Sequence, residues 1–161
     1  MHLTSTVPFA TGGHSALYDG SLSGRRVAVK IPKSRMPESE LRILQKLMRS
    51  PHHNVVACLA ICEDQDPAWT VMEKMEGDLK DLLIFHAAER LDFPMQRVRS
   101  IMHQLLSGLA HLHHHRIMHC DVKPDNILLL ADRVVVADFG EPLLSATDAQ
   151  ASRSGRGAAS A

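Results

Sequence analysis

The sequence lacks the features that mark several large classes of protein. Lys plus Arg and Asp plus Glu each number 18, so the formal net charge is zero and no bulk basic field favours nucleic acid or an anionic membrane. Its three cysteines form neither an even set nor a CxxC pair, which favours a reducing, cytoplasmic setting over a secreted disulfide scaffold. No apolar run approaches the ~20 residues that a membrane-spanning helix needs, and the amino terminus has no leader-like apolar core. We therefore expect one soluble domain.

The first half of the chain has the pattern of a small sheet with one helix. Turn-forming residues and alternating apolar residues predict two or three strands within 1–31. Apolar residues at helical spacing after Pro37 predict a short helix. The apolar, β-branched stretches 55–62 and 68–73 flank a polar segment and predict a pair of strands.

The second half has a helical pattern followed by strands. Asp78 is a predicted helix cap, and Pro94 is predicted to open a longer helix. That longer helix carries a predicted apolar stripe: Met95, Val98, Met102, Leu105, Leu109 and Leu112. Residues 126–140 predict two short strands around a polar turn. Small and polar residues make 145–161 a predicted disordered tail.

A cluster of polar residues between the long helix and the tail carries the chemistry. Asp121 can orient a hydroxyl group and accept its proton, and Lys123 can meet phosphate charge. Asn126 and Asp138 offer oxygens of the kind that Mg²⁺ prefers, and Gly140 permits a backbone turn beside them. These residue types together indicate phosphoryl transfer.

Four segments in this order resemble the motifs of eukaryotic-type protein kinases. VAVK (27–30) is similar to the lysine motif of the third strand, and ELRILQKL (40–47) to the helix with the partner glutamate. HCDVKPDN (119–126) resembles the catalytic loop, and ADFG (137–140) the metal-binding DFG motif. The resemblance covers about residues 7–142 and implies an α+β kinase fold.

The resemblance also implies roles for individual residues. Lys30 would hold the α- and β-phosphates of ATP and pair with Glu40, while Asp121 would be the catalytic base. Lys123 would steady the γ-phosphate, and a lysine at this position resembles the serine/threonine branch. Two oxygen ligands would bind Mg²⁺, namely Asn126 and Asp138.

The nucleotide base and the phosphates would be held by further residues of the small lobe. Met72 matches the gatekeeper position, and Glu73 to Met75 resemble the hinge that hydrogen-bonds adenine. Apolar contacts to the base are implied for Leu17, Ala28 and Leu128, and backbone approach to phosphate for Gly12 and Gly13.

The sequence departs from the family pattern at the glycine-rich loop and in the catalytic loop. Within ATGGHSALY (10–18), Ala10 and Ser15 stand where the family has its first and third glycines, and they are expected to restrict tight turns. Cys120 stands where many relatives carry an arginine that pairs with a phosphorylated activation loop. We expect that form of control to be absent.

The resemblance divides the chain into a small lobe (1–75), the start of a helical lobe (76–144) and the tail (145–161). The helices that normally complete the larger lobe do not follow Gly140, so a truncated domain is expected. Three side chains of the long helix are then expected to stay partly exposed unless a partner covers them: Leu105, Leu109 and Leu112.

Two functional hypotheses remain open on the sequence. The first is a kinase that uses ATP and Mg²⁺ to phosphorylate serine or threonine on a protein, with no nucleic-acid or membrane partner. The alternative is a catalytically weak or inactive nucleotide-binding or scaffold module, or a fragment. The histidines of 111–119 are interpreted as helix-end and catalytic-loop residues rather than zinc ligands, and Cys58 and Cys62 as core residues on one strand face.

Overall fold

The computed structural model describes residues 1–138 and the backbone of residues 143–144. A sheet-rich lobe with one helix precedes a part that contains two helices and short strands, which confirms the predicted α+β, protein-kinase-like fold. The strands are β1 (His2–Leu3), β2 (Ala10–Thr11), β3 (Ser15–Leu22), β4 (Arg25–Pro32), β5 (Cys58–Cys62), β6 (Trp69–Glu73), β7 (Gly77–Asp78), β8 (Ile117–Met118), β9 (Ile127–Leu130), β10 (Arg133–Val136) and β11 (Leu143–Leu144). The helices are α1 (Glu38–Arg49), α2 (Leu79–Ala88) and α3 (Met95–His114), with a 3-10 turn at Pro124–Asn126.

The small lobe is built on an antiparallel sheet with the order β1-β3-β4-β6-β5. Strand β2 pairs with the first residues of β3, on the edge of β3 that faces away from β4. The predicted strand pair is present, but β5 begins only at Cys58. The preceding residues leave the sheet because Val55 forms a parallel bridge with Val136 and the Val56 N–H donates to the Val136 carbonyl at 2.9 Å. This linker therefore joins the small lobe to the helical part.

The two faces of the sheet have different roles because alternate residues of β4 point in opposite directions. Val27 and Val29 are fully buried and pack with Val71 in a small cluster on one face. Ala28 and Lys30 alternate with them and belong to the other face. Strand register places Met72 opposite Ala28 and Leu17 opposite Lys30, so the four predicted nucleotide-contacting residues share that face.

The main core lies between α1, α3 and the β9–β10 hairpin. Ile43 and Leu47 of α1 meet Leu105 and Leu112 of α3 there, together with Val135. Helix α1 begins after Pro37, as predicted, with acidic residues in its first turn and basic residues in its last. Helix α2 begins after Asp78, whose carboxylate accepts the Asp81 N–H at 2.8 Å, which confirms the predicted cap.

The predicted apolar stripe of α3 is wrong in part. Met95 and Met102 are 63% and 46% exposed, whereas the buried residues of this helix are Ile101, Leu105, Gly108 and Leu112. The expectation that Leu105 and Leu112 stay partly exposed is also wrong, since they are 7% and 0% exposed. Their cover comes from β8 and the β9–β10 hairpin, contacts between segments distant in sequence that helical periodicity does not reveal.

The prediction that Cys58 and Cys62 share a strand face is contradicted by a β-bulge. The register shifts between Cys58 and Ala60, so Cys58 pairs with Met72 while Cys62 pairs with Trp69. An extra residue in one strand reverses the side-chain alternation beyond it. The two cysteines therefore belong to opposite faces.

Some sequence predictions fall outside the described part of the chain. These are the backbone turn expected at Gly140 and the predicted disorder of 145–161. Within the described residues, none of the helices combines the length and the hydropathy needed to cross a bilayer.

Candidate active site

Lys30 connects the small lobe to Asp138, the aspartate of the DFG-like segment. Its Nζ donates to Asp138 Oδ1 at 2.9 Å and lies 3.6 Å from Glu40 Oε1. Strand β4 supplies the lysine, α1 supplies the glutamate, and the aspartate lies two residues after the end of β10. Glu38 Oε1 instead lies 3.0 Å from Arg42 Nη2 on the exposed side of α1. The glutamate that reaches Lys30 is therefore Glu40, as the resemblance implied.

Glu40 is held in a partly buried position between opposing influences. Burial raises the pKa of the Glu40 carboxyl above its ordinary value, while Lys30 lowers it and the Asp138 carboxylate raises it further. One ammonium group is thus shared by two carboxylates. The closer partner of that ammonium is Asp138.

The catalytic loop (residues 119–126) fixes one oxygen of Asp121. Oδ2 of Asp121 accepts from Lys123 Nζ at 2.7 Å and from Asn126 Nδ2 at 2.9 Å, and the Asp121 carbonyl also accepts from Asn126 Nδ2 at 2.8 Å. The hydrogen bond from Lys123 lowers the pKa of the Asp121 carboxyl, with help from Asn126, and it raises the pKa of the Lys123 ammonium. Asp121 is therefore ionised at neutral pH, with Oδ1 as the oxygen that can face a hydroxyl group.

His119 ties the catalytic loop to the strand that leads to Asp138. The ring is 2% exposed, and its Nε2 lies 2.9 Å from the Ala137 carbonyl. Nδ1 accepts the Asp121 N–H at 3.3 Å, so Nε2 is the nitrogen that carries the proton and donates. This side chain therefore links the backbone of Asp121 to the residue before Asp138.

The β9–β10 hairpin brings Asn126 beside Asp138. Val136 pairs with Ile127, and the next bond of the ladder runs from the Ala137 N–H to the Asn126 carbonyl at 2.9 Å. Asn126 is 6% exposed, whereas the Asp138 side chain is 54% exposed. A buried amide and an accessible carboxylate thus lie at the same end of the hairpin.

This pair of side chains fits a magnesium ion in its donor chemistry. Because Asn126 Nδ2 makes the two hydrogen bonds to Asp121, its Oδ1 is the atom left for a cation, and Asp138 adds a carboxylate oxygen. Mg²⁺ commonly takes one or two protein oxygens and completes its shell with substrate phosphates and water. Across residues 1–138, no group of three or more His, Cys, Asp and Glu residues could hold a metal by itself.

The predicted adenine-contacting residues lie around the junction of the two parts. Met72, Met75 and Leu128 are partly buried and pack against the main core, and Ala28 is 7% exposed. The Glu73 side chain bridges the parts, because it lies 3.3 Å from Arg25 and 2.8 Å from Arg133. This carboxylate fixes the start of the hinge segment to β4 and β10.

The phosphate loop (residues 10–15) forms a narrow hairpin between β2 and β3. Ala10 pairs with Leu17, and the Gly12 N–H donates to the Ser15 carbonyl at 2.9 Å. Among the described residues with positive φ, neither Ala10 nor Ser15 occurs. The substitutions at these two positions therefore occupy strand backbone, and the expected restriction of a tight turn does not arise.

Sequence reasoning missed Asn54, which holds β10 in place from within the core. Asn54 is 6% exposed, and its Nδ2 donates to the Val134 carbonyl at 2.8 Å and to Gln104 Oε1 at 3.0 Å. The Asn54 carbonyl accepts the Val136 N–H at 3.0 Å. The only signal in the sequence was an amide side chain directly before two apolar residues, Val55 and Val56.

Comparison with known proteins supports the class that this fold and geometry indicate. The family model for the protein kinase domain matches residues 11–153. Serine/threonine-protein kinase D2 of Rattus norvegicus is 34% identical over 141 residues, which cover 81% of this chain and 16% of that protein. Serine/threonine-protein kinase dkf-2 of Caenorhabditis briggsae is 33% identical, with 81% of this chain and 12% of that protein covered. Serine/threonine-protein kinase D3 of Homo sapiens is 33% identical, with coverages of 81% and 16%.

The chain belongs to the eukaryotic-type protein kinase family, and its similarity is to serine/threonine kinases. It spans about one sixth or less of the length of these curated relatives.

Proposed function

We propose that the chain binds ATP with Mg²⁺ and transfers the γ-phosphoryl group to a serine or threonine hydroxyl of a protein. The observation that carries this proposal is the continuous set of contacts from Glu40 through Lys30 to Asp138, and from Ala137 through Asn126 to Asp121. These contacts bring an amine, an amide oxygen and two carboxylates together at the junction of the sheet and the helical part, which supports the proposal. Phosphoryl transfer depends mainly on positioning and charge neutralisation, for which such an arrangement is suited.

Each of the site residues has a defined role in this proposal. Lys30 neutralises the α- and β-phosphates, and Glu40 limits where its ammonium group can move. Asp121 Oδ1 accepts a hydrogen bond from the substrate hydroxyl and orients it, while Lys123 holds Oδ2 and meets the γ-phosphate. Magnesium, held by Asn126 and Asp138, would neutralise charge on the phosphate oxygens.

A phosphotransfer assay on a generic protein substrate tests this proposal. We expect Lys30→Met, Asp121→Asn and Asp138→Asn each to lower the rate by about a hundredfold or more, because each removes a charged group that acts on the transition state. Arg49→Met is the control, since Arg49 is an exposed cation in the last turn of α1. Variants that match the parent rate would contradict the proposal.

A second candidate function is nucleotide binding without transfer, as in a scaffold. The hydrogen bond between Lys123 and Asp121 favours it, because that lysine engages the base rather than a phosphate. Nucleotide binding by the parent protein with no phosphotransfer above the Asp121→Asn background would support this alternative.

The predicted location and the predicted covering partner remain proposals. Three free cysteines within the described residues support a reducing, cytoplasmic location. Leu83, Ile84 and Phe85 of α2 are 41%, 56% and 55% exposed, which supports the proposal that additional protein surface covers the helical part. Limited proteolysis would test the second point, since an uncovered α2 should be cut early.

A further inference from the structure

Lys33 lies just beyond β4 and contacts both sides of the phosphate loop. Its backbone N–H donates to the His14 carbonyl at 2.8 Å, directly after the Ser15–Pro32 pair of the β3–β4 ladder. Its side chain crosses to the other limb of the hairpin, where Nζ donates to the Gly12 carbonyl at 2.7 Å. One residue thus connects the end of β4 to the tip and to the β2 side of the loop.

These two hydrogen bonds are important for the order of the loop because the loop residues have little buried surface. Residues 10–14 are all exposed, so apolar packing contributes little to their order. The short distance and the charge of the donor make the Lys33–Gly12 bond stronger than an ordinary neutral hydrogen bond. We therefore expect this contact with Lys33 to make the tip of the hairpin more ordered than other loops of similar exposure.

The direction of the bond also affects the loop's chemistry. With the Gly12 carbonyl oxygen held toward Lys33, the plane of the Gly12–Gly13 peptide is held as well, and with it the direction of the Gly13 N–H. Backbone N–H groups of such a loop bind phosphate only when several of them converge. A fixed carbonyl at Gly12 reduces the entropy lost when the loop closes over a charged ligand.

We propose that Lys33 is a positioning residue that straps the phosphate loop to β4 and so prepares it for the polyphosphate of a nucleotide. This inference rests on the proposed nucleotide binding and extends it to a residue outside the motifs described above. The strap acts on phosphate affinity and not on recognition of the base. Loss of this contact should therefore weaken the binding of nucleoside triphosphates and leave the binding of nucleosides unchanged.

The test compares Lys33→Met and Lys33→Arg with the parent protein in two measurements. In the protein without nucleotide, amide hydrogen exchange of residues 12–15 should be roughly tenfold faster in Lys33→Met, and close to the parent in Lys33→Arg, which retains a donor. In calorimetric titrations with Mg²⁺ present, Lys33→Met should weaken ATP binding about tenfold and leave adenosine affinity within about twofold. Arg49→Met removes an exposed positive charge from α1 and should change neither measurement.

The outcomes separate the strap from the proposed function. Unchanged exchange in Lys33→Met, or equal weakening of ATP and adenosine, would overturn the strap even if the parent binds ATP well. A loss of ATP affinity in Arg49→Met as large as that in Lys33→Met would also overturn it. The loss would then come from the reduced positive charge of the protein and not from the contact with the loop. A parent protein that binds neither ligand would overturn the proposed function and the phosphate role assigned to Lys33.

Discussion

The catalytic loop and the phosphate loop are held in place by different means. The catalytic loop is anchored through His119 and Asn126, which are 2% and 6% exposed and bond to the backbone around Ala137 and Asp121. The phosphate loop is exposed and depends on backbone pairing and on Lys33. Geometry at the first loop is thus inherited from the core, whereas geometry at the second depends on a few surface contacts. Substitutions beneath the catalytic loop should therefore lower the free energy of unfolding strongly, whereas substitutions within the phosphate loop should change it little.

A methyl group added to α3 beneath β10 should cause the largest loss of stability. A Cβ at Gly108 of α3 would lie 2.3 Å from the Asn54 carbonyl oxygen and 3.2 Å from a Val136 methyl group. We expect Gly108→Ala to lower the free energy of unfolding by about 3 kcal/mol, because backbone must move to relieve the overlap. Urea unfolding followed by circular dichroism measures this change.

Gly13→Ala provides the matched control in the phosphate loop. No atom lies within 4 Å of a Cβ built at Gly13, so the same methyl group meets open space. The change in the free energy of unfolding should stay within about 1 kcal/mol. Equal losses for the two alanine variants would contradict the proposed difference between the loops.

Loss of the His119 ring should be the next largest effect. His119→Leu removes the partners of the Ala137 carbonyl and the Asp121 N–H. We expect a loss of about 2 kcal/mol in the free energy of unfolding, since a buried polar group without a partner is costly. His103→Leu, at an exposed position of α3, should change that free energy by less than about 0.5 kcal/mol in the same denaturation experiment.

Glu40→Gln should separate stability from function at the ion pair. The pKa of the Glu40 carboxyl is raised in the fold, so the native state at neutral pH holds an ionised group that burial disfavours. The neutral amide should leave the midpoint of thermal unfolding equal to or above that of the parent. The same variant should lose phosphotransfer, and a large drop in the midpoint would show that the ion pair is mainly structural.

The histidines at the ends of α1 and α3 should make stability depend on pH. His52 and His111 stack with ring centroids 4.6 Å apart, and the His115 ring meets His111 at the same separation. Burial, with neighbouring histidines, lowers the pKa values of His52 and His115 below the ordinary 6.5, and Lys46 adds to the effect on His115. The unfolded chain then binds more protons at mildly acidic pH, so stability should fall as pH drops below about 6.5.

Unfolding midpoints at pH 7.5 and pH 5.5 measure this dependence. The parent should be less stable at pH 5.5, and His115→Gln should reduce the difference between the two midpoints. Higher stability of the parent at pH 5.5 would contradict the assignment.

Local pattern was sufficient for the segments whose structure is set by neighbouring residues. Helix α1 after Pro37, the Asp78 cap and the β9–β10 hairpin follow from turn, cap and periodicity signals. The contact between Lys30 and Asp138 spans 108 residues in sequence. It was not predicted, and only the family resemblance assigned the two residues to one nucleotide site. Spacing alone could not have brought those two residues together.

The wrong predictions depend on contacts between segments distant in sequence. The buried face of α3 is set by the Asn54 region and the β9–β10 hairpin, which fit closely against Gly108 and bury Leu105 and Leu112. The bulge between Cys58 and Ala60 is a register irregularity that no periodicity in β5 indicates. Lys33 was missed because it belongs to no motif, and its role arises from a turn in a neighbouring hairpin.

The central claim is that Lys30, Asn126 and Asp138 act together on one nucleotide and its metal ion. The most direct measurement is the unfolding midpoint of the parent and of Asp138→Asn during titration with ATP, with and without Mg²⁺. A ligand at one hundred times its dissociation constant stabilises a folded protein by about 2.7 kcal/mol, or roughly 5–10 °C for a chain of this size. We predict such a rise for the parent only when Mg²⁺ is present, and its loss in Asp138→Asn. An ATP-induced rise that is independent of Mg²⁺ and identical in the variant would contradict the claim.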